Sequence, residues 1–484
     1  MATHLAHGDP DFRISLWQRV REFAVPPSMI ETATTRRRAG DWAGACAAAA
    51  VDVDLDPRSV ARTHGHAVAS RLRADLRHLA PDLLRWHMPR IAPDGLLRPG
   101  LTLTLARYDT AGHDGARPLH LVVRTPPAWA DGGQRISLAL WDGTGRHAGT
   151  ARHPHPRPSR RFRLDLHRHL WDARRTGELR VRSGADLPPP ADAPAAPADP
   201  AAESEPERHC AVDRWAAEAG ILLRAEDRTA PGTGTRTGTA EGTGTSTVVV
   251  RVGAGQRLAL ELDTGPDGVP RSAPRIAALP TGGSSCALPV LPDAATWVLP
   301  DLELVRAGAV EAGRLHPLVA PALVPGRVPA APPSTAGPVA GPRIVDCRGA
   351  RHRIGLVDGA LAALDHDPAE IRREELLAAL TGTPLPCFRA IDDAHRRPEC
   401  LPGIRERLRH GDTAGALAVV ESLLGPAARL RDGALRDDLE AAALRRVAHG
   451  MYRAGLDEPA AGRACPDRHR PRTGRSRPRH ALFD

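Results

Sequence analysis

Glycine and proline set the first limit on how this chain can fold. Its 484 residues include 45 glycines and 47 prolines, and both residue types interrupt helices and strands. Short elements separated by turns and connecting segments are therefore expected over much of the sequence. Aromatic residues make up only 3%, so the cores between those breaks must be built from Leu, Val and Ala. A chain of this length exceeds one ordinary core, and about three domains are expected.

All 66 lysine-plus-arginine positions are arginine, and asparagine is also missing. Without lysine there is no P-loop lysine, no Schiff-base amine and no kinase-type strand lysine. Without asparagine there is no amide to orient a catalytic histidine and no N-glycosylation acceptor. The same bias removes A- and T-rich codons, as a GC-rich genome does. Basicity is local. Residues 146–182 hold eleven Arg against Asp165, Asp172 and Glu178, and residues 463–480 hold seven Arg against Asp467, within a net charge of +9. The remainder is acidic. The seven cysteines are scattered without a CxxC pair, which predicts reduced thiols and no disulfide frame. Met1–Phe12 shows no basic stretch followed by an apolar run, and no apolar segment is long enough to span a bilayer. A cytoplasmic location with no membrane partner is expected.

Residues 12–90 read as a helical N-terminal unit. Ser28 is placed to cap a helix through Thr35, and Asp41 to cap the next through Ala50. After Pro57 one longer helix is expected, with Ala61, Val68, Leu72, Leu76, Leu79 and Leu83 on a buried face. Residues 96–182 change to period two: Leu101, Leu103 and Leu105 alternate with threonines, and Leu119–Arg124 and Ile136–Trp141 follow. They predict a small antiparallel β unit with a basic end. Residues 184–207 read as a Pro/Ala linker. Residues 208–324 form a mixed α/β unit around a Gly/Thr insert, 232–245, expected to be disordered. A Pro-rich linker, 325–342, leads to a unit at 343–456. There Asp358-Gly359 predicts a β-hairpin, and helices are expected from Pro368 to Ala454, the last with an apolar stripe at Leu435, Leu439, Ala443, Val447 and Met451. The Arg/Pro tail, 457–484, is expected to be disordered. The fold class is α+β, multi-domain. One echo links the two ends: Arg38-Ala39-Gly40-Asp41 and Arg409-His410-Gly411-Asp412 both place Gly at a helix end and Asp at the next cap. Two similar helix–turn–helix corners are expected, not a repeat array.

The candidate metal residues are Asp165, His167 and His169. If Arg161–Leu170 is a strand, these three share a face with Arg163, and histidines at i and i+2 can meet one Zn²⁺. Neighbouring arginines oppose a cation, so a solvated strand face is the plainer reading. Cys387, His395 and Cys400, with Cys347, offer zinc-ligand residue types, but not the close Cys pairs of structural sites. No metal and no cofactor is therefore expected. Asp52, Asp54 and Asp56 alternate like a calcium loop, yet Pro57 stands where glycine is required and Thr63 where glutamate is. An acidic turn capping a helix accounts for them. Leu262-Asp263-Thr264-Gly265 resembles half an aspartic protease site, with no second copy to share a proton. Arg157, Arg160, Arg161, Arg163 and Arg168, interleaved with Phe162 and Trp171, are the candidate nucleic-acid contacts, since arginine forks match phosphates. Arginine is over-used throughout the chain, which weakens that signal. No catalytic residue is assigned.

Leu299-Pro300-Asp301-Leu302-Glu303-Leu304, Arg314-Leu315-His316-Pro317-Leu318-Val319 and Arg373-Glu374-Glu375-Leu376-Leu377 through Pro384-Leu385-Pro386-Cys387 resemble an uncharacterised actinobacterial protein family with no assigned activity. The resemblance spans about 12–455 without the linkers. It implies company with an AAA+ ATPase and a von Willebrand A-type protein, and it carries no site residue. Taken together, the readings point to a non-catalytic intracellular adaptor or scaffold that binds other proteins, an AAA+ ATPase among them. The alternative is a nucleic-acid-associated protein acting through 146–182 and the tail. A metal-dependent hydrolase is the third reading.

Overall fold

The structure is a computed structural model that describes residues 2–3, 10–109, 118–143, 153–187, 210–227, 244–252, 256–264, 274–279, 288–326, 343–382 and 384–456. The insert at 232–245, the two linkers and the tail lie mostly or wholly outside these residues. The architecture is α+β, as expected. Among the described residues no helix is long and apolar enough to cross a membrane.

Proline starts helices at the N-terminal end. α1 (Pro10–Phe23), α2 (Pro27–Arg38) and α3 (Trp42–Ala48) lead to strand β1 (Val51–Val53), followed by α4 (Pro57–His64), α5 (His66–His78) and α6 (Pro81–His87). Pro27, Pro57 and Pro81 stand at the first helical position, where the missing N–H costs nothing. Helix α2 thus begins one residue before the expected Ser28 cap, with extended Pro26 before it. Asp41 does cap α3, accepting from the Gly44 N–H at 2.8 Å. Asp56 caps α4 through the Arg58 and Ser59 N–H groups. The single long helix expected after Pro57 is broken at Gly65, at φ +86°, and again before Pro81. Its stripe survives the breaks, for Val68, Leu72, Leu76, Leu79 and Leu83 are buried.

β2 (Thr102–Tyr108), β3 (Leu119–Arg124) and β4 (Ile136–Trp141) pair antiparallel, and β1 joins β4 in parallel. The sheet is therefore mixed, completed by a strand from the helical unit. Segment 159–165 pairs with the open edge of β2, through Ser159 N–H to Thr102 O and Asp165 N–H to Thr104 O. Thr102 and Thr104 are buried as deeply as Leu103 and Leu105.

In the middle of the chain, α7 (Val212–Asp227) packs on the antiparallel sheet β5 (Gly244–Arg251), β6 (Arg257–Thr264) and β7 (Arg275–Ala278). Trp215, Leu222, Val248, Val250, Leu260 and Leu262 fill that core. Helix α8 (Pro300–Arg306) leaves this unit and joins the first one. A single core contains Trp17, Leu72, Leu103, Trp171, Leu302, Leu304 and Val319, so the boundary near 90 separates no cores, and residues 302–323 of the expected middle unit belong to the first core rather than to the second. The seam is polar as well as apolar. Arg21 grips Asp301 with two hydrogen bonds of 2.8 Å and stacks 4.3 Å from the Trp86 ring centroid. The Trp86 indole N–H also points to Asp301, at 3.1 Å. His316 meets Asp82 at 3.0 Å and Arg13 meets Glu303 at 2.9 Å.

The C-terminal part begins with β8 (Arg343–Cys347), β9 (Ala350–Val357) and β10 (Ala360–Ala363), an antiparallel meander. Helices α9 (Pro368–Thr381), α10 (Pro386–Arg396), α11 (Leu401–His410), α12 (Thr413–Leu424) and α13 (Ala434–Ala454) follow. The Asp358-Gly359 hairpin is present, with φ +49° and +76° at its two positions, as a type I′ turn requires. The echoed corner is also real: Gly411 has φ +87°, and Asp412 caps α12 by accepting from the Gly415 N–H at 2.8 Å. The stripe expected on α13 is corrected. Leu435 and Leu439 face the core, but Val447 is 59% exposed, and the buried series is Leu435, Ala442 and His449. Steps of four drift around a helix of 3.6 residues per turn, whereas steps of seven nearly close.

The C-terminal helices sit against the first unit. Arg85 donates to His410 O at 3.0 Å, His449 meets Ala130 O at 3.0 Å and Asp52 at 3.2 Å, and Arg453 forks onto Asp54. A Cβ on Gly411 would lie 2.0 Å from Gly133 O, so only glycine permits this approach.

Buried histidines give this fold an acid limit. Burial, ahead of neighbouring charges, depresses His87 and His410 to about 3 and His120 and His153 to about 4, from an ordinary 6.5. The unfolded chain takes up these protons first, so the stability they provide is full above pH 6.5 and declines as pH falls toward the folded values. Each contributes roughly 1.4 kcal/mol per pH unit over that window. Denaturant midpoints measured from neutral pH downward are expected to fall below pH 6.5, before the carboxylates titrate, and His87→Phe flattens the slope. A midpoint constant down to about pH 4.5 contradicts this account.

Candidate metal centre

The first hairpin of the C-terminal sheet creates a ligand pair from alternation alone. Cys347 ends β8, and Arg348-Gly349, with φ +53° and +82°, forms a second two-residue turn into Ala350. Cys347 pairs with Ala350, so both lie on one face, and His352, two residues further along β9, lies there too. Val345, Ile354 and Ala363 continue the same apolar face. His366 follows β10 just before α9, and Cys387 stands in the first turn of α10, whose Ile391 packs on the sheet.

The four side chains converge. One ligand atom from each of Cys347, His352, His366 and Cys387 lies within 4.8 Å of all the others, and Cys347, His366 and Cys387 are buried. His352 Nδ1 and His366 Nε2 face each other at 2.7 Å, and Cys387 Sγ is 3.8 Å from His352 Nδ1. His366 Nδ1, on the far side of its ring, faces Glu370 Oε2 at 3.4 Å. Phe388 lies over the His366 ring, with centroids 6.3 Å apart. Burial, and then the neighbouring Cys347, push the Cys387 thiol up to about 12. A thiolate here therefore needs a cation, and a bound Zn²⁺ supplies one.

Two sulfurs and two imidazole nitrogens are the donor set of tetrahedral zinc. Four protein donors complete that tetrahedron, so the arrangement suits a structural ion and leaves no position for a reacting water. The surroundings fit the same role. The local core consists of Cys347, Ile354, Ala363, Leu385, Cys387 and Ile391, and two of these are the candidate ligands. So few apolar side chains hold a small unit weakly without a staple. Arg348 reaches Glu374 at 3.0 Å and ties α9 to the turn beside the ligands.

The candidate residues named from the sequence fall elsewhere. Residues 161–170 do not form a strand but a bridge at Arg163, turns and a single-turn helix at Arg168–Leu170. The backbone there is bent by its contacts with β2, so the strict alternation expected for Asp165, His167 and His169 does not arise. Asp165 is paired with Arg163 at 2.8 Å, and His167 with Glu218 at 3.2 Å. His169 is buried, with its ring centroid 5.8 Å from that of His167, and burial holds it well below its ordinary value. Among the described residues, Cys347, His352, His366 and Cys387 are the one group whose ligand atoms lie close enough together to hold a metal ion, and Asp165, His167 and His169 are not such a group. Of the four C-terminal residues of zinc-ligand type, Cys347 and Cys387 are brought together, whereas His395 and Cys400 are not part of the cluster.

The basic segment is largely paired within the fold. Arg161 forks onto Asp293, Arg163 binds Asp165 and Glu226, and Arg168 binds Asp75 and Asp172. Arg157 and Arg160 are exposed. Comparison with protein-family models, with curated proteins and with solved structures found no match to this chain.

Proposed function

We propose that this protein is a non-catalytic interaction component, an adaptor or scaffold, whose C-terminal unit folds around a structural Cys₂His₂ zinc ion. One observation carries the reading: four protein donor atoms lie within 4.8 Å of one another. A catalytic zinc keeps one position open, and this set fills all four. Helix α9, beside the ligands, supports a role in binding another protein. Its Leu376, Leu377 and Leu380 are 66%, 43% and 84% exposed, and neighbouring apolar side chains on a surface mark interaction sites. An AAA+ ATPase is the partner class proposed, on the sequence resemblance alone.

The test compares the zinc-loaded chain with the His352→Ala/His366→Ala variant as bait, at physiological salt and with nuclease present. A stoichiometric protein partner held by the first and lost by the second is expected. Capture of nucleic acid alone, with affinity falling steeply as salt rises, overturns the reading, and so does substrate turnover by the purified chain.

A further inference from the structure

Arg124 ends β3 at the seam between the mixed sheet and α13. It is 3% exposed, its Nε and Nη2 are fully buried, and neither of these nitrogens meets an acceptor among the described residues. A buried guanidinium without a carboxylate is unfavourable, and burial lowers its proton affinity accordingly. The nearby acids are already engaged. Asp52 accepts from Arg135 and His449, and Asp54 from Arg453. His153 is occupied at both ring nitrogens, by Thr125 O at 2.9 Å and the His155 N–H at 3.2 Å. Around this point, Arg124, Arg135 and Arg453 face Asp52 and Asp54; Asp54 attracts Arg124 through charge, but both its oxygens are bonded to Arg453, so the three arginines outnumber the two acids among the described residues.

Arg124 lines a small pocket of about 40 Å³, shared with Arg135, His153 and Arg453 and with one acid, Asp54, which Arg453 already holds. That space suits about three waters or one oxyanion. A second pocket of about 210 Å³ shares Thr125, Pro126 and Arg135 as walls; Ile91, Leu96, Leu97 and Pro99 give it an apolar side, and Asp131 and Gln134 are its other polar groups. Ligand sites combine mostly apolar walls with a few placed polar groups, as this pair of pockets does.

We propose that the seam binds a small molecule carrying one oxyanion, a carboxylate or phosphate, on an apolar body. The oxyanion pairs with Arg124, whose planar N–H groups match such oxygens. The apolar body occupies the larger pocket. This inference rests on none of the metal-centre residues and stands or falls separately from the zinc reading.

Calorimetric titration of the full chain at low salt with benzoate, phenyl phosphate, inorganic phosphate and benzyl alcohol tests it. Benzoate or phenyl phosphate binds saturably, which identifies the head group, and the neutral alcohol binds at least roughly tenfold more weakly. Inorganic phosphate, without the body, binds more weakly than phenyl phosphate. Arg124→Met abolishes binding and raises the ligand-free melting temperature, because it removes an unpaired buried charge. Ala128→Trp, at an exposed position on the apolar pocket, blocks the aromatic anions without touching Arg124. The proposal is overturned if neither anion binds, if the alcohol binds equally well, or if Arg124→Met lowers the melting temperature with binding intact. Should Arg124→Met fail to fold, Ala128→Trp decides alone, and unimpaired binding to it overturns the proposal.

Discussion

Removing zinc from this protein is expected to unfold β8–β10 and α9–α10 while the core around Leu72, Leu76 and Leu103 stays folded. The two regions differ in what holds them. The first unit has a core running from Trp17 to Leu323, whereas the metal-side core is six buried residues with two ligands among them. Structural zinc contributes about 10–16 kcal/mol of apparent binding energy at neutral pH in small zinc-folded units. That exceeds what so few apolar side chains supply. Cys387→Ser should reproduce chelation, since serine offers no thiolate and its buried hydroxyl gains no compensating partner. Hydrogen exchange measures both effects by region. Loss of protection across 343–396, with protection retained across 68–88, is the expected pattern. Unchanged protection in 343–396 after chelation contradicts a structural metal.

The second large effect is expected at Asp301. Its carboxylate accepts two hydrogen bonds from Arg21 and faces the Trp86 N–H, and the pair is almost fully buried, at 4% and 0% side-chain exposure. Asp301→Ala leaves the Arg21 charge buried without a counter-ion, at a cost of about 3–5 kcal/mol. The helix carrying Asp301, α8, crosses onto α1, where Arg13 and Glu303 form a second pair. The same change should therefore loosen the seam between the middle and first units. Replacing both partners, Arg21→Met with Asp301→Leu, should cost much less than Asp301→Ala alone, because no orphaned charge remains. Denaturant unfolding of the two variants and the parent measures the difference. Equal destabilisation by the single and double changes means the pair acts through packing alone.

How much of the fold is legible in the sequence varies with how local the cause is. Asp41, Asp56 and Asp412 cap helices as their positions predict, because a cap depends on residues two or three along the chain. The Asp358-Gly359 turn is equally local. The stripe Ala61–Leu83 is legible, but its periodicity runs straight through the breaks at Gly65 and Pro81 and so conceals these helix ends. Long-range pairing leaves no such local mark. Strand β1 adds to a sheet formed some eighty residues later, and residues 159–165 lie along β2, which removes the alternation expected around His167 and His169.

The metal-side ligands illustrate the same limit. Half the set is accessible: alternation on either side of a two-residue turn places Cys347 and His352 on one face. The turn is hard to recognise because its first position is Arg348, at φ +53°, where glycine, asparagine or aspartate is usual. His366 and Cys387 join only through the packing of α10 on the sheet, which no spacing rule contains. A pattern of close cysteine pairs therefore does not include a Cys₂His₂ set spread across 347–387.

X-ray absorption at the zinc edge of the purified 484-residue chain, with metal content measured in parallel, distinguishes a structural zinc ion from a metal-free cluster. One zinc per chain is expected, with two sulfur neighbours at about 2.3 Å and two nitrogen neighbours at about 2.0–2.1 Å. That signal is expected to vanish in His352→Ala/His366→Ala. A chain isolated without metal, an oxygen-rich shell of higher coordination number, or a Cys347–Cys387 disulfide in its place would contradict a structural zinc ion.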